Sequence, residues 1–207
     1  MEYESYSHHY AAEVLKTDER KQRLDEITEV IEGVSDDQII HRFAAGSAAK
    51  SISKAINDLL KDGLVAKGWT PEAKIFQGSE YTNKRWRLDF AKKPISVEVA
   101  FNHGEAIAWN LLKPVLASQL NHVKKEIEDT DVGVIICATE GMKEAGNFDS
   151  AVGEFEKFIR YLQPLQVVLP TPILLIGLKK PRTFYVEGTA TNRRNIGSVV
   201  RIENLGP

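Results

Sequence analysis

Two short stretches, Val132–Ala138 and Pro172–Leu178, are apolar almost throughout and lack the alternation of a strand with one wet face. Runs of this kind read as strands buried on both sides, which requires helices to cover the sheet they join. Helical periodicity elsewhere supplies the cover. Leu24, Ile27 and Ile31 form one stripe after the cap Thr17, and Gly33 is a natural stop. Ile52, Ile56, Leu59 and Leu60 form a second, with Ser47 as cap and Gly63 as terminator. A third helix is expected from about Gly104 to Leu120, carrying Ile107, Leu111, Leu112 and Val115, with Pro114 kinking it or ending its first part. A fourth opens at Asp149 or Ser150, carries Val152, Phe155, Phe158, Ile159 and Leu162, and stops before Pro164.

Between the second and third helices, Arg85–Phe90 and Ile95–Phe101 flank Lys92, Lys93 and Pro94 in the pattern of a hairpin. The expected fold class is α/β, a mixed central β-sheet flanked by helices. A chain of 207 residues, 43% hydrophobic and 27% charged, suits one compact domain. No linker divides it. N-terminal helices occupy about 1–68, a core segment about 69–178, and a basic segment 179–207. Thr183–Ile202 reads as a strand mixed with a polar loop, Thr189–Ser198.

Several classes are set aside at once. No apolar run approaches the ~18 residues of a membrane span, and Met1–Tyr10 is polar and acidic without a signal pattern, so a cytoplasmic protein without a membrane partner is expected. The single Cys137 excludes an internal disulfide framework and a multi-Cys zinc site, and its apolar surroundings make it a core thiol. Aromatic residues are scattered, so no stacking platform for single strands is argued.

The net charge of −2 conceals an uneven distribution. Residues 1–40 hold eleven Asp/Glu against four Lys/Arg, whereas 179–201 hold six basic residues against Glu187 alone, and 74–125 hold nine basic against four acidic. Such asymmetry allows a polyanion partner, because phosphates respond to the local field and not to the global charge. An ordinary solvated face explains the same charges.

Chemistry concentrates in the hairpin. Asp89 closes one strand and Glu98 stands in the middle of the next, across a short turn. Alternation puts Glu98, Ala100 and Asn102 on one face, with Val97, Val99 and Phe101 on the other. A carboxylate on an otherwise apolar strand costs several kcal/mol unless a metal or a cation pairs with it. Two carboxylates, a carbonyl and waters suit Mg²⁺. The bland alternative is a solvent-facing hairpin with two unremarkable acids.

The wider sequence resembles the BglII-type family of type II restriction endonucleases (BglII, BstYI and BamHI-like) within the PD-(D/E)XK nuclease superfamily. Tyr6-Ser7-His8 with Glu13-Val14-Leu15 looks like that family's opening segment, and Leu64-Val65-Ala66-Lys67-Gly68-Trp69 looks like the approach to its active site. Leu88-Asp89-Phe90 with Ile95-Ser96-Val97-Glu98-Val99 is similar to its metal-binding hairpin. Asp131–Ile136 and Pro172–Leu178 look like its later core strands.

The resemblance implies a restriction-endonuclease-like core in which Asp89 and Glu98 ligate Mg²⁺, one or two ions per site, and the Val99 carbonyl adds a ligand. It implies phosphodiester hydrolysis by a metal-activated water. Glu72 matches a position where BamHI-like enzymes place another active-site acid, and a surface acid is its ordinary reading. The departure is Ala100, where the superfamily has Lys and these relatives Gln or Glu. A methyl group cannot orient a water, and general-base help is worth roughly a hundred- to ten-thousand-fold. Three explanations stand: an introduced inactivating substitution, a naturally weakened protein, or replacement by Asn102, His103 or Glu105. Ala100→Gln or Ala100→Glu is accordingly expected to raise cutting.

Base readout needs polar groups near the active-site strand. Asn102 and His103 sit where the relatives contact DNA, with a surface histidine as the alternative for His103. Asn147, Asp149 and Ser150 form a second group, which helix capping explains as well, and Arg193 and Arg194 in the tail are within reach of phosphates or bases. A palindrome read by a homodimer is the economical arrangement. The related enzymes share a GATC centre, which the resemblance carries over, together with a cognate DNA methyltransferase encoded nearby. A repair or junction-resolving nuclease, and a protein that binds a DNA sequence without cutting it, are the alternatives.

Overall fold

The computed structural model describes residues 1–46, 49–119, 130–191 and 194–202. The chain opens with β1 (Tyr3–His8), α1 (Ala11–Val14), α2 (Asp18–Gly33), α3 (Asp36–Ala45), α4 (Ser53–Ala66) and β2 (Thr70–Lys74). Two 3-10 turns, Ser79–Tyr81 and Lys84–Trp86, lead into β3 (Arg87–Lys92) and β4 (Ile95–Ala100). A third, Gly104–Ala106, precedes α5 (Ile107–Gln119). Then come β5 (Val132–Ala138), α6 (Glu140–Ala145), α7 (Phe155–Leu165), β6 (Ile173–Leu178), β7 (Phe184–Thr191) and β8 (Arg194–Arg201).

The main sheet has six strands in the order β1-β6-β5-β4-β3-β2. The pairs β4/β5 and β5/β6 are parallel, and the outer pairs are antiparallel. This is the mixed sheet flanked by helices that the sequence predicts. Every residue of β4, β5 and β6 is buried, as the apolar runs of β5 and β6 require; in β4 the burial extends to Ser96 and Glu98. One face joins Val97, Val99, Val134, Ile136 and Leu174 to Ile27, Ile31, Ile39, Ile56 and Leu60 of α2–α4. The opposite face joins Ala100, Ile135, Cys137 and Leu175 to Ile107 and Leu111 of α5 and Phe158 of α7. Cys137 is a buried core thiol. Among the described residues no helix is long and apolar enough to cross a membrane.

Local boundaries differ from expectation where tertiary contacts override local signals. β1 and β2 form the sheet edges; an edge strand is held by its backbone ladder to one neighbour, so its sequence carries little apolar alternation. α3 was likewise not foreseen, although Ser35 and Gln38 make a reciprocal capping box at its start. α4 begins at Ser53, and Ser47, its expected cap, lies outside the described residues. α7 begins at Phe155, not at Asp149 or Ser150. The backbone at 151–153 is instead bonded to 102–104: Gly104 N–H donates to the Ala151 carbonyl at 2.7 Å and Gly153 N–H to the Asn102 carbonyl at 3.1 Å.

Pro164 does not stop its helix, since α7 includes it, and of the two outcomes expected at Pro114 the end of a first part does not occur, since α5 continues past it. In α5 the residues on both sides of the proline, Leu111 and Ala117, are fully buried, and that packing outweighs one lost hydrogen bond. Within the Thr189–Ser198 segment, residues 189–191 and 194–198 are strand and not loop. They belong to the antiparallel β7–β8 hairpin, a separate two-stranded sheet in register from Phe184↔Arg201 to Thr191↔Arg194.

Candidate active site

The tight β3–β4 hairpin is in register from Lys92↔Ile95 to Phe90↔Val97. One step further along that register Asp89 opposes Glu98, and the backbone ladder gives way to the side chains. Val99 N–H donates to Asp89 Oδ2 at 2.7 Å, and Asp89 N–H donates to Glu98 Oε1 at 3.3 Å. The two carboxylates thus stand side by side where the strands part, Asp89 half-buried and Glu98 only 2% exposed.

A cation reaches this pair from the helix above. Lys113 of α5 is buried, and its Nζ donates to Glu98 Oε2 at 2.5 Å. Burial pushes the Glu98 carboxyl up to about 8, the Asp89 charge adding to the effect and Lys113 opposing it. Burial also raises Asp89, against the Val99 N–H and Lys113, while the Glu72 charge adds to the rise. Sequence reasoning foresaw that Glu98 needs a metal or a cation but did not single out Lys113. The signal was present, since Lys113 is the one charged residue in the α5 sequence.

Glu72 lies on the rim of the site. Pro71 pairs with Phe90 and Ala73 with Leu88, so Glu72 stands opposite Asp89 in an unbroken register, with its backbone in the left-handed region at φ 50°. A side chain held in that region costs about 1–3 kcal/mol. The exposed Glu72 carboxylate is 3.7 Å from Arg87 Nη1. The Val99 carbonyl accepts from Phe101 N–H at 3.3 Å and retains a second lone pair. Ala100 is 1% exposed in the apolar cluster under α5.

A buried and a half-buried carboxylate, both with raised proton affinity, together with the Val99 carbonyl are hard oxygen donors of the kind Mg²⁺ takes while keeping several waters. The residues present therefore fit a divalent cation. Among the described residues no group of three or more His, Cys, Asp or Glu side chains is clustered to hold a metal.

The residues read as base contacts come from segments that the fold draws together. Asn102 and His103 are exposed just beyond β4, and Asn102 Oδ1 accepts from Asn110 Nδ2 at 2.9 Å. The paired backbones at 102–104 and 151–153 bring Asp149 and Ser150, both exposed, to the same region. The Ala151 N–H and Lys50 lower the Asp149 pKa, with a smaller effect from His103. Asn147 Nδ2 donates to the Lys50 carbonyl at 2.9 Å, and Lys50 Nζ is 3.3 Å from Asp149. Lys50 was not foreseen, because a lone lysine in a loop carries no periodic signal. Gly197 of β8 donates to the Ala49 carbonyl at 2.9 Å, so the terminal hairpin abuts this region. Arg194 opens β8, and Arg193 lies outside the described residues. The scattered aromatics also gather: Phe76, Tyr81, Trp86 and Trp109 form one cluster, with Trp109 Nε1 donating to the Arg85 carbonyl at 3.1 Å.

A mixed sheet in this order, with helices on both faces, has the fold of a restriction endonuclease. It matches restriction endonuclease BglII complexed with a DNA 16-mer at TM-score 0.69 and 21% identity, over 98% of this chain and 100% of that one. Free BglII matches at TM-score 0.54 and 17% identity, again over 98% of this chain and 100% of the other. A comparison with curated proteins gives no match. The family model for "Restriction endonuclease BglII/BglIII" matches residues 3–178. The chain belongs to the BglII/BglIII restriction endonuclease family.

Proposed function

We propose that the chain is a Mg²⁺-dependent type II restriction endonuclease that hydrolyses duplex DNA at a short palindrome. The observation that carries this reading is the opposed pair Asp89 and Glu98 at the parting of β3 and β4, in a chain of this family. Asp89, Glu98 and the Val99 carbonyl would hold the ion, with Glu72 on the rim. When bound, the ion supplies charge neutralisation at the scissile phosphate and favours hydroxide over water.

This chain's residues do the rest. Asp89 is fixed by the Val99 N–H and Glu98 by Lys113, so neither carboxylate must reorganise when DNA arrives. Burial around Glu98 excludes solvent and strengthens each charge interaction. In the reaction, water oxygen joins phosphorus, one backbone P–O bond breaks, and the water proton goes to the departing oxygen. Asn102, His103, Asn147, Asp149 and Ser150 are assigned to base and backbone contacts, with Arg193 and Arg194 on phosphates. Two copies reading a palindrome would each cut one strand. One endonuclease domain acting in the cytoplasm, a GATC core, and protection of host DNA by a separately encoded methyltransferase complete the reading.

The test is a plasmid digest over a panel of GATC-containing sites, with and without Mg²⁺, beside a gel shift on the same sites. Discrete fragments that need Mg²⁺ and vanish in Asp89→Asn support the reading. A specific shift without fragments turns it into a binding protein, fragments that follow DNA shape turn it into a repair or junction nuclease, and neither shift nor cutting refutes it.

A further inference from the structure

The methyl group at Ala100 leaves a gap in the cleavage chemistry, and the fold brings a charged group from another element to Glu98, two residues before it. α5 lies on the face of the sheet that carries Glu98 and Ala100, where Ile107 and Leu111 share an apolar cluster with Ala100. The approach is close because β5 has Gly133: a Cβ there would stand 2.5 Å from Pro114 Cβ. Gly133 is paired with Ser96, two residues before Glu98 on β4. Pro114 is therefore seated over the sheet beside the active strand, and the preceding residue, Lys113, extends its ammonium to Glu98 Oε2 at 2.5 Å.

This placement is costly unless it is used. Each ion in a buried pair loses several kcal/mol of hydration, and well-packed apolar residues often serve stability as well. The replacements weighed from sequence are less well placed. Asn102 Oδ1 is engaged by Asn110, and the exposed His103 and Glu105 lie beyond the end of β4. Among the described residues, the side chain bonded to Glu98 is that of Lys113.

We propose that Lys113 is the positioning residue of the cleavage site, supplying from α5 the hydrogen-bond donors that Ala100 cannot supply from β4. The proposal rests on the nuclease reading above. An ammonium has three N–H donors. Glu98 accepts one, which fixes that carboxylate, and the remaining donors serve the attacking water and a phosphate oxygen. With Lys113 in this role, a chain with a methyl group at position 100 would still have donors for the attacking water.

The test compares wild type, Lys113→Met, Lys113→Gln and Lys113→Arg. Single-turnover cleavage is followed in Mg²⁺ at saturating protein over a range of pH, metal-free DNA affinity by gel shift, and folding by thermal unfolding. Lys113→Met is expected to lose roughly a hundred- to ten-thousand-fold in rate with DNA affinity unchanged, and Lys113→Arg to recover part of that loss. If the Met variant does not fold, Arg cutting faster than Gln supports the proposal and equal rates overturn it. A Met variant that cuts as fast as wild type, or variants losing rate and affinity in parallel with no recovery in Arg, also overturn it. A wild-type chain that cuts while Lys113 proves dispensable refutes this inference alone. A wild-type chain that cuts nothing refutes the nuclease reading together with it.

Discussion

Replacing Glu98 by Gln should flatten the pH dependence of stability, because the cost of ionising this buried carboxyl falls on the folded state. Its proton affinity rises from the ordinary 4.5 in the unfolded chain to about 8 in the fold. Below pH 4.5 the group is neutral in both states and costs nothing. As pH rises towards 8 the unfolded chain is already ionised while the folded one is not, so stability is lost progressively until both are ionised. At about 1.4 kcal/mol per tenfold change in proton affinity, the full transition is worth on the order of 5 kcal/mol. Gln keeps the shape and an acceptor for Lys113 but has no proton to lose. Urea unfolding of both chains in EDTA from pH 4 to 9 should give curves that diverge, the variant gaining on wild type by several kcal/mol at the alkaline end. Curves that run parallel across the range would refute the assignment of Glu98 as a desolvated carboxyl held beside Asp89.

The same proton affinity couples to metal binding. A divalent cation held by Glu98, as proposed, would have to displace its proton, so Mg²⁺ or Mn²⁺ affinity measured calorimetrically should rise by up to about tenfold per pH unit and level off above about 8. A pH-independent affinity would count against Glu98 as a ligand. Gly133→Ala should cost about 1–3 kcal/mol, since its methyl meets Pro114 Cβ at 2.5 Å; thermal unfolding reads the loss, and a cleavage rate falling with it would report displaced Lys113. Ala100→Gln must push a longer side chain into a position 1% exposed beneath α5, and should destabilise by roughly 1–3 kcal/mol in the same assay.

The sequence by itself determined the sheet centre and set the two carboxylates on neighbouring strands of one hairpin. Val132–Ala138 and Ile173–Leu178 are apolar at nearly every position because both of their faces are covered, and their shortness and β-branched content favour a buried strand over a buried helix. A short turn between two strands likewise lets Asp89 and Glu98 converge, and the register that sets them opposite each other follows from β3 running on to Lys92. The edge strands β1 and β2 left no comparable trace, as their order comes from backbone pairing with a neighbour. The tertiary structure alone decided what partners Glu98. Lys113 lies fifteen residues downstream on a helix, and its approach depends on Gly133, a residue further along the chain still, leaving room for Pro114. Local patterns record which face of an element is apolar, but which charge reaches which carboxylate depends on how closely two elements pack, and that is set by contacts distant in sequence.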